Sequence, residues 1–368
     1  MIPLTDEDRL LLVPGPTPVH REILDALARP TISHTSGQLA ETMKFALERL
    51  KMVAGNRNGK MFVFAGSGTL AQESALLNFV TPGDRVLVAS NGFFASRLHA
   101  IAQQHGMSTT LREARPGTSI TPDELDTAIR DTEASVVAFT HVETSTGAMA
   151  PLSEFIEVIR RHQALSIVDG VAGFGGVSES MDDLGIDVLL TGAQKALGVP
   201  PGLALIAVGA EAWRRREART EPVPTYYADL IRWAPIMEQP DTYFSTHPVN
   251  LIQALAKAME VIVEEGLAAR FERHRRLAKR FREGLRELGF ELFTDPAYLA
   301  PTLSAVLTPV SVASSEFRRR LHGNGVVAAG GINDGTDRIV RFGHMGNITD
   351  LDIAGALSAI EQSLNRVG

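Results

Sequence analysis

Short runs that are apolar at almost every position alternate, along this chain, with segments in which apolar residues return every three or four positions. The runs are KMFVFAG, RVLVAS, ASVVAFT, ALSIVDG, VLLTG and LALIAVG. A strand with no polar face has to be covered on both sides, so these runs predict a mostly parallel sheet between layers of helix, an α/β fold. Helical spacing is clearest in HTSGQLAETMKFALERLKMVAG, where Leu39, Met43, Ala46, Leu47 and Leu50 share one face. It returns in GTLAQESALLNFV, around Phe94–Gln104 and in PLSEFIEVIRRHQ. Thr121-Pro122-Asp123-Glu124 is a capping box with proline at the first helical position. In sheets of this kind ligands collect beyond the carboxyl ends of the strands.

The pattern changes at both ends. A short arm turns at Pro14-Gly15-Pro16 and leads into a helix from about Pro18 to Ala28. After LALIAVG come the charged AWRRREARTEPVP, an aromatic loop, TYYADLIRWAPIMEQPDTYFSTHPVN, and a long helix from about Leu251 to Glu265. The remainder reads as helix, strand (PTLSAVL), helix (SSEFRRRLHG), strand (RIVRFG) and helix (DLDIAGALSAIEQSL), a smaller α+β unit beginning near Gly266. The expected organisation is an arm (residues 1–16), a large domain (17–265) and a small C-terminal domain (266–368), packed closely because no low-complexity linker separates them.

Composition narrows the class of protein. With 368 residues, 44% of them apolar, the chain is long enough for two domains with ordinary cores. A formal net charge of −7 argues against general affinity for nucleic acid or an anionic membrane. The basic stretch ARFERHRRLAKRFREGLRELG is expected to be the solvated face of a helix. There is no cysteine, which excludes disulfides, thiolate metal sites and cysteine nucleophiles. The histidines lack metal-ligand spacing such as HExxH, so no metal site is expected, and no GxSxG elbow is present. No apolar run approaches a membrane span, and MIPLTDEDRLLLVPGPTP lacks the pattern of a leader, so a cytoplasmic location is expected.

Candidate chemistry concentrates at two strand ends. ALSIVDG reaches Asp169 and its glycine, and VLLTG is followed by AQKALGVPPG, with Lys195 in a loop of small residues. An acid and a lysine at the ends of neighbouring strands are what pyridoxal 5'-phosphate (PLP) needs: an amine to hold its aldehyde as a Schiff base, and a carboxylate to keep its ring nitrogen protonated. Gly66-Ser67-Gly68-Thr69-Leu70-Ala71, between a strand and a helix, matches a dinucleotide fingerprint in form, but the next strand ends VLVASN without the acid that would bind a ribose. What remains is a phosphate cup at a helix N-terminus, built from Ser67, Gly68 and Thr69. Arg341 is the only charge in IVRFGHMG, and its guanidinium fork matches a substrate carboxylate.

The ordered motifs PGPTP, GSGT, NGFF, HVETSTG, SIVDGVAGFGG, TGAQKALGVPPG, YFSTHPVNLI and RFGHMG make the chain similar to the class V aminotransferases, in their alanine–glyoxylate and serine–glyoxylate (serine–pyruvate) branch. The resemblance spans nearly the whole chain. It implies the aspartate-aminotransferase fold, with a large PLP-binding domain, a small C-terminal domain and a homodimer with shared active sites. By resemblance Lys195 is the Schiff-base lysine and Asp169 the partner of the ring nitrogen. Ser67, Gly68, Thr69 and Gln194 are phosphate ligands, Phe94 stacks on the cofactor and Thr144 lies near its ring. Tyr243 and Thr246 match the pair that reaches the neighbouring subunit's phosphate. Arg341 is the substrate clamp, with His34 and the backbone at Gly15 as further candidates. The chain departs from many relatives at His34-Thr35, where they carry histidine-arginine, and at Val142, where they carry glycine.

The implied activity is a ping-pong transamination from a small amino acid, alanine or serine, to a small 2-oxo acid, glyoxylate or pyruvate. A phosphonate-specific or kynureninase-like member of the same class is an alternative, and so is a degenerate relative kept as a binding subunit.

Overall fold

In the computed structural model, which describes residues 5–332 and 335–365, a two-residue strand, β1 (Leu10–Leu11), opens the fold. The apolar runs then form β2 (Lys60–Ala65), β3 (Arg85–Ser90), β5 (Val136–Thr140), β6 (Leu165–Asp169), β7 (Val188–Gly192) and β8 (Leu203–Val208), with β4 (Ser108–Glu113) added at one edge. These make one seven-stranded sheet in the order β2-β8-β7-β6-β5-β3-β4. From β7 to β4 every pairing is parallel, and β8 runs antiparallel between β7 and β2. Register places Thr140 beside Asp169, and Asp169 beside Leu190, so the site side chains gather at the carboxyl ends of three adjacent strands.

A second, four-stranded sheet is built from β9 (Glu291–Leu292), β10 (Leu303–Leu307), β12 (Ala329–Gly330) and β13 (Ile339–Gly343). The remaining strand, β11 (Val326–Val327), pairs in parallel with β1, which ties the N-terminal arm to this part of the chain. One apolar cluster runs from Ile23 to Ile262. Another gathers Leu12 with residues between Leu277 and Ile360. Among the described residues no helix is long and apolar enough to cross a membrane.

Helix Gly37–Ala54 shows how local chemistry sets its limits. Ser36 accepts a hydrogen bond from the Leu39 N–H at the start, and Gly55 takes the left-handed conformation (φ 58°) at the end. Its predicted face is buried at Leu39, Met43, Ala46, Leu47 and Leu50.

Three segments differ from the pattern-based expectation. Strand β4 carries the polar sequence STTLRE and is mostly exposed, because an edge strand needs no apolar face. The aromatic loop contains a helix, Leu230–Glu238, capped by Asp229 and interrupted by Pro235. Burial overrides its poor propensity: Trp233 is fully buried, stacks on Phe64 and donates its indole N–H to the Tyr227 carbonyl. The basic helix, Leu267–Glu287, is not simply a solvated face. Arg270, His274 and Arg282 are buried, with the two arginines donating to carbonyls of Gly175, Ala196, Ala300 and Leu303. Buried guanidinium groups persist where carbonyls occupy their donors.

Candidate active site

Lys195 follows β7 in a loop fastened from outside. Thr17 donates through Oγ1 to the Lys195 carbonyl at 2.8 Å and through its N–H to the Gln194 carbonyl at 3.1 Å, while Arg270 donates to the Ala196 carbonyl. The lysine Nζ donates to the Pro14 carbonyl, so the arm lies directly on it. Gly15 has φ +106°, a conformation that favours glycine, and a Cβ there would run into the Lys195 side chain. Burial pushes the amine down to about 8, helped by the Arg341 charge and opposed by Asp169 and Glu143. With this pKa roughly a tenth of the amine is neutral, and therefore nucleophilic, at pH 7, far more than for a free lysine.

Asp169 ends β6 and is almost fully buried. Its Oδ1 accepts the Val171 N–H at 2.9 Å, and its Oδ2 accepts Gln72 Nε2 at 2.5 Å and Thr140 Oγ1 at 3.3 Å. Burial raises its pKa; the Val171, Gln72 and Thr140 hydrogen bonds and the Arg97 charge all oppose that rise.

Ser67, Gly68, Thr69 and Gln194 line the same cavity as Asp169 and Lys195, a space of about 120 Å³. Ser67 occupies the N-cap of helix Gly68–Phe79, yet its side chain makes no capping bond. The helix N-terminus is thus turned to the cavity without its usual internal acceptor. Gln194 Oε1 is buried with no partner among the described residues. Amide O and N exchange places by one rotation, so the same side chain can present an N–H donor instead. A dianionic phosphate supplies the acceptors this corner lacks. The residues therefore fit PLP: Ser67, Gly68, Thr69 and Gln194 would hold its phosphate, Asp169 would serve its ring nitrogen and Lys195 its aldehyde.

Phe94 and Thr144 line the cavity, as does Val142 at the departure from the resembling sequences. Glu143, which sequence alone does not single out, holds this wall together. Its Oε2 accepts the N–H groups of Phe94 (2.9 Å) and Ala95 (3.1 Å), and its Oε1 accepts the Ser145 N–H at 2.8 Å. A buried carboxylate thus caps helix Phe93–Gln104, favourable against the helix dipole. Arg341, on β13, donates through Nε to the Gly330 carbonyl at 2.6 Å and through Nη1 to the Thr144 carbonyl at 2.8 Å. It joins the small sheet to the cavity wall.

His34, Tyr243 and Thr246 are not brought to this cavity within the chain. The His34 and Tyr243 rings meet edge to face at 5.4 Å, and Tyr243 is 64% exposed. Beside them His247 is buried, with both ring nitrogens unpaired among the described residues, and burial pushes its pKa down to about 4. Arg97, Thr140 and Val171 line the cavity, and Gln72 donates to two of its residues, Asp169 and Phe94, without any of the four having been singled out from sequence. Gln72 and Arg97 sit on helices whose polar residues read as surface, and their only signal is closeness to the GSGT and NGFF motifs.

The fold and the lysine-bearing cavity define a PLP-dependent transferase, and comparison with known proteins gives the family. Residues 18–331 match the profile described as Aminotransferase class-V, and the chain belongs to that family. It is 35% identical to a protein named soluble hydrogenase, small subunit, from Synechococcus sp., over 98% of this chain and 94% of that one. It is 33% identical to the alanine–glyoxylate aminotransferase of Oryctolagus cuniculus, again over 98% and 94%. The crystal structure of an alanine–glyoxylate aminotransferase from Nostoc sp. superposes with a TM-score of 0.94 at 30% identity, covering 99% of this chain and 97% of that one. The chain is therefore an aminotransferase that works with PLP.

Proposed function

We propose that the cavity around Lys195 moves an amino group from a small amino acid, alanine or serine, to a small 2-oxo acid, glyoxylate or pyruvate, one half-reaction at a time. The observation that carries this reading is the meeting, in one buried pocket, of a lysine amine pushed down to about 8 with an aspartate whose partners are hydrogen-bond donors. Similarity to alanine–glyoxylate aminotransferases supports the substrate class.

PLP, when bound, supplies an aldehyde for covalent capture of the amine and a protonated ring that takes up charge released at the substrate Cα. Lys195 would hold the cofactor and, once displaced, carry a proton to and from Cα. Asp169 would hold a proton on the ring nitrogen. Ser67, Gly68, Thr69 and Gln194 would bind the phosphate, Phe94 would cover the ring and Thr144 would stand beside it. Arg341 would give up its carbonyl partners to take the substrate carboxylate as a fork, which also fixes the orientation of the Cα–H bond. Residues 17–265 would act as the cofactor domain and 266–368 as a small domain that carries Arg341.

A homodimer belongs to the same reading. Tyr243 and Thr246 lie outside their own chain's cavity, and an exposed tyrosine beside unpaired His247 suits a surface completed by a second copy. Single-turnover absorbance of the cofactor-loaded protein tests the substrate class. Alanine or serine should convert the bound cofactor to its amine form, and glyoxylate or pyruvate should restore it. Conversion by neither amino acid would contradict the assignment.

A further inference from the structure

Gln72 is completely buried on helix Gly68–Phe79, and both ends of its amide are occupied. Its Oε1 accepts Arg97 Nε at 2.8 Å, and its Nε2 donates to Asp169 Oδ2 at 2.5 Å and to the Phe94 carbonyl at 3.3 Å. The Arg97 guanidinium lies 4.8 Å from the centre of the Phe94 ring. An amide can ordinarily be turned over without changing its shape. Here it cannot, because a guanidinium has only donors and must face the oxygen. The NH2 is thereby forced onto Asp169.

This has a chemical consequence for the carboxyl. Val171 N–H and Gln72 NH2 can only donate, so they reward the ionised form of Asp169 and offer nothing to a protonated one. Thr140, at 3.3 Å, is the one hydrogen-bonding neighbour among the described residues able to reverse direction. Burial and the nearby carboxyls of Glu143 and Glu179 work the other way, while Lys195 and Arg97 supply positive charge. The orientation of this one amide therefore bears directly on the contest between a proton on Asp169 and one on the group it faces.

We propose that Gln72 and Arg97 are positioning residues: Arg97 fixes the Gln72 amide so that it donates to Asp169, and this keeps Asp169 ionised and the cofactor's ring nitrogen protonated. The inference rests on the reading that Asp169 faces that nitrogen. Without the clamp the amide is free to turn its oxygen to Asp169, the carboxyl accepts a proton and the ring nitrogen loses it.

The test uses holoenzyme reconstituted with PLP labelled with nitrogen-15 in the ring, and follows the ring-nitrogen chemical shift together with cofactor affinity. Wild type should show the protonated value. Gln72→Leu and Arg97→Met should each move the shift toward unprotonated pyridine and weaken cofactor binding by about tenfold to a hundredfold, the range for losing a hydrogen bond to a charged group. Arg97→Lys, which keeps a donor-only cation, should restore the wild-type shift. A purely structural role would alter stability or occupancy without moving the ring signal. Asp169→Asn is the control. If it leaves the shift unchanged, the placement of Asp169 is wrong. If it moves the shift while folded, fully loaded Gln72→Leu and Arg97→Met do not, the relay is overturned. Should Gln72→Leu fail to fold, the contrast between Arg97→Met and Arg97→Lys decides alone: equal shifts in the two contradict the clamp.

Discussion

Two regions of this molecule carry the residues expected to handle cofactor, and they are finished to different degrees. Around Lys195, outside the corner of Ser67 and Gln194, the polar groups are matched from within the chain: the amine by Pro14, Asp169 by Gln72, Thr140 and Val171, Glu143 by three backbone N–H groups. Around Tyr243 the chemistry is incomplete, with Tyr243 exposed and both nitrogens of buried His247 unpaired among the described residues. An exposed aromatic ring gains by being covered, so the second surface has the more to gain from a further partner. The contrast teaches that the chain fixes the residues around Lys195 from within and leaves a separate aromatic surface open, the surface that the proposed dimer would use.

The largest effect should come from removing the centre of the finished region. Lys195→Ala is expected to abolish covalent attachment of the cofactor and reduce turnover by several orders of magnitude, read by absorbance and steady-state kinetics. Parent-like turnover would remove Lys195 from the chemistry. Asp169→Asn should retain cofactor but lose the charge facing its ring, again with a loss of several orders of magnitude in kcat. A mild loss would contradict that role.

Arg341→Ala should cost about 2–5 kcal/mol in kcat/KM, the range for truncating one partner of a buried charge pair. Donor and acceptor should suffer together, since one site binds each in turn. An acceptor left unaffected would shift attention to His34 or the backbone at Gly15. The smallest effect is a pH dependence. Capture of PLP by apoprotein requires the neutral amine, so its rate should rise with pH and level off above about 8, where Lys195 has lost its proton. A rate falling with pH across that range would contradict the assignment of the nucleophile.

The legible and illegible parts of the chain divide along physical lines. Strands β5 to β8 were readable because burial on both faces leaves too few polar residues to make an alternating pattern. That Lys195 and Asp169 meet in one cavity was readable because side chains at the ends of adjacent parallel strands converge. Strand β4 and helix Leu230–Glu238 escaped because their sequences answer to edge position and tertiary burial rather than period. Arg270 and Arg282 lay within a basic stretch that looks solvated, and only the carbonyls they meet in three dimensions explain their burial. Gln72 and Arg97 were hidden for the same reason. Their importance lies in an amide orientation that no spacing encodes.

The most direct test of the two-region account mixes subunits. A Lys195→Ala chain and a Tyr243→Ala, Thr246→Ala chain are each prepared as pure protein, then combined and isolated as heterodimers carrying both. If the Tyr243 surface completes the neighbour's cavity, one site in each heterodimer collects every defect and the other collects none. The account predicts that each parent is inactive and the heterodimer recovers about half the wild-type rate, as two-fold symmetry requires. Verified heterodimers with no recovered activity would contradict it.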